Sequence, residues 1–289
     1  MADVRFDRLE HTVGEASYPV LVGGDGPPVL LLHGFPETHV CWDRVVPALA
    51  ERHTVVLTDL RGYGASTAPP GGPRGEGYTK REMAAELAQV MAGLGHERFA
   101  VVGHDRGGRV AYRMALDHPT AVDRLAVLNV IPTIDQFARM SSGMSLGYWP
   151  WVLLAQPAPM PERLLNADPA AVLDHVFATW PADPVAIDPD HRAAYLAAMT
   201  PSTVAAMCGD YRASFHIDQR HDADDREAGR RIAAPVLVVT GAEEAQLADA
   251  GDVWRRRAVT VTASTVPGGH FVPEESPVAL LDELIPFLG

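Results

Sequence analysis

Phe99-Ala100-Val101-Val102-Gly103-His104-Asp105-Arg106-Gly107-Gly108 is the stretch that decides how this chain folds. Phe99 to Val102 is a short, wholly apolar run, the pattern of a buried strand. From Gly108 to Leu116 the spacing turns helical, with Val110, Met114 and Ala115 on one face. The G-x-D-x-G turn between them, Gly103 to Gly107, is a nucleophile elbow, which lifts one side chain to the top of a parallel sheet. Glycines flank such a turn because it is strained and because the helix must pack close to the strand. Here the lifted side chain is a carboxylate. It cannot form a stable acyl intermediate, but it can displace a leaving group at carbon, giving an ester that water later cleaves. That chemistry removes a halide or opens an epoxide. Taken alone, the turn is more often a glycine-rich connection whose Asp caps a helix.

Two further elements in the right order favour the chemical reading. His33-Gly34-Phe35-Pro36 follows the apolar run Val29 to Leu32. A turn there can aim the Phe35 N–H above the elbow, where with the Arg106 N–H it forms an oxyanion hole. Because the elbow residue is an acid, these donors serve ester hydrolysis, the second half of the cycle. Near the C-terminus, Pro267-Gly268-Gly269-His270-Phe271 puts a histidine in a glycine-rich loop before a last helix at 277–288. An imidazole with an ordinary pKa of about 6.5 suits a general base. Nucleophile, then acid, then His is the chain order this architecture uses. Of the other eleven histidines among the chain's 12, His33 reads as a turn-shaping residue and ten as surface or packing residues.

Composition narrows the rest. At 289 residues the chain can bury a sizeable core as one domain with a large insertion. A formal charge of −13 argues against nucleic acid or an anionic membrane as partner. An acidic protein that handles an anionic substrate must concentrate positive charge locally, and the elbow arginines answer that need. Cys41 and Cys208 are too few for a disulfide framework and sit in apolar contexts, so buried free thiols and a reducing compartment are expected. No signal peptide and no apolar run of membrane-spanning length is visible, which predicts a soluble, cytoplasmic protein. Nothing has metal-ligand spacing, and Gly62-Tyr63-Gly64 lacks the third glycine of a dinucleotide fingerprint.

Strands are predicted at 18–22, 29–33, 54–59, 98–103, 124–130, 235–241 and 259–266, and helices at 40–50, 79–94, 107–117, 247–257 and 277–288. Such alternation means a mostly parallel sheet flanked by helices, an α/β architecture. The stretch 132–231 breaks the rhythm, with helical segments at 170–179, 190–199 and 202–215. It reads as a helical cap inserted after the sixth strand of a core made of 1–131 and 232–289, its charged tail 218–231 leading back to the sheet. A cap excludes water from carboxylate chemistry.

With these segments placed, the chain resembles the haloacetate (fluoroacetate) dehalogenases of the α/β-hydrolase fold, relatives of haloalkane dehalogenases and epoxide hydrolases. The resemblance covers nearly the whole chain. It is carried by His33 to Thr38, Asp59 to Ser66, Gly103 to Arg113, Leu154 to Pro159 and Asp210 to Ala213. The most specific part is Asp105-Arg106-x-x-Arg109. Three residues apart beside a helix N-terminus, the two guanidiniums can clamp a substrate carboxylate and favour an ionised Asp105. The family pattern further implies that Trp151 and Tyr211 donate to the departing halide, and that no metal or organic cofactor is needed. A homodimer would follow family habit.

Two departures from that pattern matter. Pro150 stands where a histidine usually adds a third halide contact, and it has no N–H. Fluoride is the most strongly hydrated halide, so chloro- and bromoacids are expected to be preferred over fluoroacids. Asn129 stands where the family keeps its His-orienting acid. Glu244, in the turn after the next strand, is the candidate replacement, with Asn129 as the alternative. Three other readings compete: an epoxide hydrolase using Tyr211 with Tyr148 or Tyr195 as proton donors, a ligand-binding protein on a hydrolase scaffold, and, least of all, a serine esterase.

Overall fold

The structure, a computed structural model, describes residues 5–289. Val- and Leu-rich runs with few polar side chains are stable only when covered on both faces. They form the middle of one sheet here. Its strands are β1 (Phe6–Val13), β2 (Ala16–Gly23), β3 (Pro28–Leu32), β4 (Thr54–Thr58), β5 (Phe99–His104), β6 (Val122–Leu128), β7 (Val236–Gly241) and β8 (Val261–Val266). They lie in the order β1-β2-β4-β3-β5-β6-β7-β8. β1 pairs antiparallel with β2, and β2 with β4; every other pairing is parallel. This is the fold class expected from the sequence. Every residue of β5 and β7 is buried, so the elbow rises from the centre of the sheet.

β1 went unpredicted. Its charged and polar side chains (Arg8, Glu10, His11) are mostly exposed, as suits an edge strand protected by charge against further pairing. With β1 counted, Val122–Leu128 is the sixth strand. The helix expected at 40–50 resolves into a 3₁₀ turn, His39–Trp42, and one α-turn, Val46–Leu49, whose Pro47 supplies no N–H to continue the first. The one expected at 247–257 shortens to Ala250–Arg255. The helix Lys80–Gly93 begins where predicted, closed by a reciprocal capping box between Thr79 and Glu82.

Between β6 and β7 the described residues form helices and no named strand. Segments at 169–179, 189–198 and 201–213 match the expected ones, and 133–139, 142–147, 149–153 and 160–167 are additional. The charged tail 218–231 precedes β7 and is largely helical. It contains the helix Gln219–Glu227, whose Asp222 and Asp225 are buried against Arg113 of the elbow helix at 3.0 and 2.5 Å. Cys41 and Cys208 are both free and buried. Among the described residues no helix is long and apolar enough to cross a membrane.

Candidate active site

Asp105 is the first residue of the helix Asp105–Asp117 and has φ = 43°, a left-handed conformation that a non-glycine residue holds only when its surroundings enforce it. Close packing enforces it here. A Cβ on Gly103 would lie 2.5 Å from the Gly107 carbonyl oxygen, and one on Gly107 would lie 2.4 Å from that of Leu32. Glycine is therefore obligatory on both sides of the turn. The Gly107 N–H donates to the His33 carbonyl at 2.9 Å, tying the helix to the His33–Pro36 turn. His33 holds that turn from inside, its Nε2 accepting from the Leu60 N–H at 3.0 Å.

The Phe35 N–H donates to Asp105 Oδ2 at 3.1 Å, so one expected oxyanion donor already faces the carboxylate. The Arg106 N–H lies in the first helical turn, where backbone donors have no intrahelical partner. Burial works to raise the Asp105 pKa, but His270, Arg106 and Arg109 outweigh it and hold the group below its ordinary value. The carboxylate is ionised at neutral pH.

The His270 side chain is 3.4 Å from Glu244, measured from Nδ1 to Oε1, and Gln246 steadies the carboxylate by donating to its Oε2 at 2.8 Å. Burial pushes the Glu244 pKa up, yet its contact with His270 leaves it below the ordinary glutamate value. His270 Nε2 is buried without a hydrogen-bond partner. Asn129 makes no hydrogen bond to the imidazole. Its Nδ2 donates to the carbonyls of Gly269 and His270, both at 2.8 Å, and its Oδ1 accepts from the Gly241 N–H at 2.8 Å. With φ = 50°, a left-handed conformation that Asn tolerates, it pins the histidine loop rather than the ring. That corrects its role as an alternative orienting residue.

The two arginines are buried, and both guanidiniums lie over the Trp151 ring, 5.1 Å from its centroid for Arg106 and 4.4 Å for Arg109. Arg106 is not free. Its Nε donates to Asp210 Oδ2 at 2.9 Å, and its Nη2 to Asp210 Oδ1 at 2.6 Å and Ser214 at 2.7 Å. Only Nη1 is left without a partner. Arg109 Nη1 donates to the Ile131 carbonyl at 2.9 Å, and its Nε is unpartnered. Asp210 also meets the buried Lys80 ammonium and accepts from the Tyr63 hydroxyl at 2.9 Å. Burial and the neighbouring Arg106 push the Lys80 pKa well down.

Asp105, Trp151, Tyr211, Glu244 and His270 line one small cavity of about 60 Å³, together with Gly147, Tyr148, Trp180 and Gln246. Trp151 and Tyr211 meet edge to face, their centroids 5.7 Å apart. Burial, with Asp105 nearby, raises the Tyr211 pKa, so its phenol remains a donor.

A family model for the alpha/beta hydrolase fold matches residues 27–245. A fluoroacetate dehalogenase from Burkholderia sp is 41% identical over 276 residues, covering 94% of this chain and 90% of the relative. The chain belongs to the fluoroacetate dehalogenase family of the alpha/beta hydrolase fold. A soluble epoxide hydrolase from Corynebacterium sp. (strain C12) is 29% identical, with 93% and 92% covered. Among solved structures, an alpha/beta hydrolase from Nostoc sp PCC 7120 superposes with a TM-score of 0.95 at 40% identity, covering 98% of both chains.

For this alpha/beta hydrolase, sequence reasoning passed over several residues of the site. Asp210 was noted only as part of a motif, and nothing local in the sequence says that it takes up the Arg106 fork. Trp180 belongs to the helical insertion, yet its carbonyl accepts from the His270 N–H at 3.1 Å and its ring lies 5.0 Å from the imidazole. His104, expected only to pack, is buried between Glu37, 2.9 Å from its Nδ1, and the His270 carbonyl, 2.7 Å from its Nε2. The spacing His104-Asp105 was visible, but the partners come from 67 and 166 residues away. Tyr195 is outside the cavity, its hydroxyl donating to Glu274 at 2.9 Å.

Proposed function

We propose that this protein is a hydrolytic dehalogenase of small 2-haloacids such as haloacetates, working through an ester on Asp105 and releasing a 2-hydroxy acid and halide. One observation carries the reading: an ionised, buried Asp105 shares a small cavity with Trp151 and Tyr211, while Arg106 and Arg109, which are not among the cavity's lining residues, lie over the Trp151 ring, each with an unpartnered N–H. A substrate carboxylate would answer Arg106 Nη1 and Arg109 Nε, which a neutral substrate would leave unmet. The name of the Burkholderia relative points the same way.

In the first step Asp105 attacks the α-carbon and the carbon–halide pair of electrons leaves with the halide. Arg106 and Arg109 hold the substrate carboxylate through Nη1 and Nε, and Trp151 and Tyr211 receive the halide. Water activated by His270 Nε2 then attacks the ester carbonyl carbon of Asp105. Glu244 balances the imidazolium that forms, and the Phe35 and Arg106 N–H groups hold the oxyanion. The imidazolium returns its proton to the departing 2-hydroxy acid, and the second water proton leaves the Asp105 carboxyl group for solvent, so the haloacid and water give the 2-hydroxy acid, halide and one proton. Residues 132–231 act as a cap over a core of 1–131 and 232–289, of which 1–4 lie outside the described residues. The protein works in the cytoplasm, as a homodimer.

Pro150 supplies no N–H to the halide, so chloroacetate and bromoacetate are turned over faster than fluoroacetate. Steady-state halide release from the three acids tests both statements: release from none would end the dehalogenase reading, and fluoroacetate winning would end the donor argument. His270→Asn should trap the ester, visible by intact mass as one added carboxymethyl group after incubation with chloroacetate. An unmodified protein with normal turnover would remove His270 and Asp105 from these roles.

A further inference from the structure

Lys80 is a buried cation that the proposed chemistry does not use. It opens the helix Lys80–Gly93, and its side chain is almost fully enclosed. Its backbone N–H donates to Asp218 Oδ1 at 3.0 Å, which fixes the residue at its root. The ammonium is in direct contact with Asp210 and lies 3.9 Å from Asp218 Oδ2. Ser214 closes the circuit: its hydroxyl donates to Asp218 Oδ2 at 3.1 Å and accepts from Arg106 Nη2 at 2.7 Å. Arg106, Asp210, Lys80, Asp218 and Ser214 thus form one ring of buried side chains, drawn from the elbow helix, the helix Lys80–Gly93 and the helical insertion. Burial and Arg106 push the Lys80 pKa well down; Asp218 works against them, and Asp210 in contact favours the charged form for the same reason.

We propose that Lys80 is a specificity-determining residue whose ammonium offsets Asp210 and Asp218, leaving the charge of Arg106 available to a substrate carboxylate. The proposal rests on the reading of Arg106 and Arg109 as the grip on a haloacid. Lys80 touches no substrate and acts through Arg106, so it is a positioning residue. Without it, Asp210 cancels the guanidinium it binds, and Asp218 adds a second negative charge behind them. An incoming acid then meets surplus negative charge in a buried setting, where screening by water is weak. Removing one carboxylate together with the lysine restores the balance, although every contact of the lysine side chain is still missing. Asp218 is the one to remove, because Asp210 also aims the Arg106 fork, whereas Asp218 reaches Arg106 through Ser214. A lysine that served packing alone would give the opposite pattern, with the two losses adding up.

The experiment follows chloride release from chloroacetate at neutral pH in the unaltered full chain, Lys80→Met, Asp218→Asn and the double variant. Lys80→Met should raise KM about tenfold or more while kcat stays within about threefold. The double variant should bring KM back to within about threefold of the unaltered chain, and Asp218→Asn alone should lower KM. Should Lys80→Met fail to fold, the other two variants carry the same test: KM near or below the original in both supports the proposal. An unchanged KM in a folded Lys80→Met overturns it, as does a fall in kcat that matches the rise in KM. A double variant with a higher KM than Lys80→Met, or a raised KM in Asp218→Asn, also overturns it. Each of these leaves the haloacid reading standing, because the unaltered chain still releases chloride. No chloride from the unaltered chain overturns the role of Lys80 and the haloacid reading together.

Discussion

Asp105 is an ordinary carboxylate until its neighbours act on it, and the same holds for the groups that serve it. Glu244 reaches His270 while the adjacent Glu243 is exposed, so the two give a sharp contrast. Glu244→Gln should lower halide release by about 10²–10⁴, as loss of a His-partner carboxylate does elsewhere, whereas Glu243→Gln should stay within twofold; steady-state rates decide. Asn129 makes the opposite point. Replacing it by Asp would restore the acid usual at that position, but it would exchange two N–H donors for a carboxylate facing the carbonyls of Gly269 and His270. Asn129→Asp should therefore lower both the melting temperature and turnover, and a gain in rate would refute the loop-pinning role. Asp210 holds the Arg106 fork in place. Asp210→Asn should raise KM for chloroacetate about tenfold or more while kcat falls less, because a misdirected guanidinium loses substrate grip first.

At the scale of elements, the elbow helix is anchored from both sides. The His33–Pro36 turn meets its first residues, and Arg113 near its end is buried against Asp222 and Asp225 of the helix Gln219–Glu227. Breaking a buried ion pair leaves uncompensated charge, which costs about 3–5 kcal/mol. Arg113→Ala should reduce unfolding free energy in urea by that order; a change below about 1 kcal/mol would mean the network is solvated. These acids give the segment 218–231 a place in the interior that its charge does not advertise. On one chain they look like a solvated charged face, and only the arrival of an arginine from 109 to 112 residues away makes them interior groups. The strands of the sheet centre were legible because an unbroken apolar run has only one stable environment. The edge strand β1 was not, since an exposed strand carries the same residues as a loop.

Across the whole molecule, buried titratable groups set the pH response. His104 is lowered by burial and raised more strongly by Glu37, ending at about 9. Between its ordinary 6.5 and about 9 the folded protein holds a proton that the unfolded chain has released, so stability falls as pH rises through that window. Glu274 adds the same sign lower down, pushed up to about 7 by burial and by Glu37. In the other direction Asp59, held at about 2 chiefly by His39 against the cost of burial, loses its contribution as pH falls through the acid range. Urea midpoints should thus peak on the acid side of neutrality and decline toward pH 9, with Glu37→Gln flattening the alkaline limb. A midpoint rising from pH 7 to 9 would contradict this.

The order of chemical elements along the chain, a glycine-flanked carboxylate on a strand-to-helix turn and a histidine before the last helix, was present in the sequence because tight turns and buried strands tolerate few residue types. Backbone sterics act locally, so they leave a local record. Which acid meets His270, that Asn129 grips a loop instead of a ring, that Asp210 occupies the Arg106 fork, and that Tyr148 rather than Tyr195 enters the cavity were decided only by the folded chain. Those are contacts between side chains separated by tens to hundreds of residues, where several candidates satisfy the same local rules and three-dimensional packing selects one.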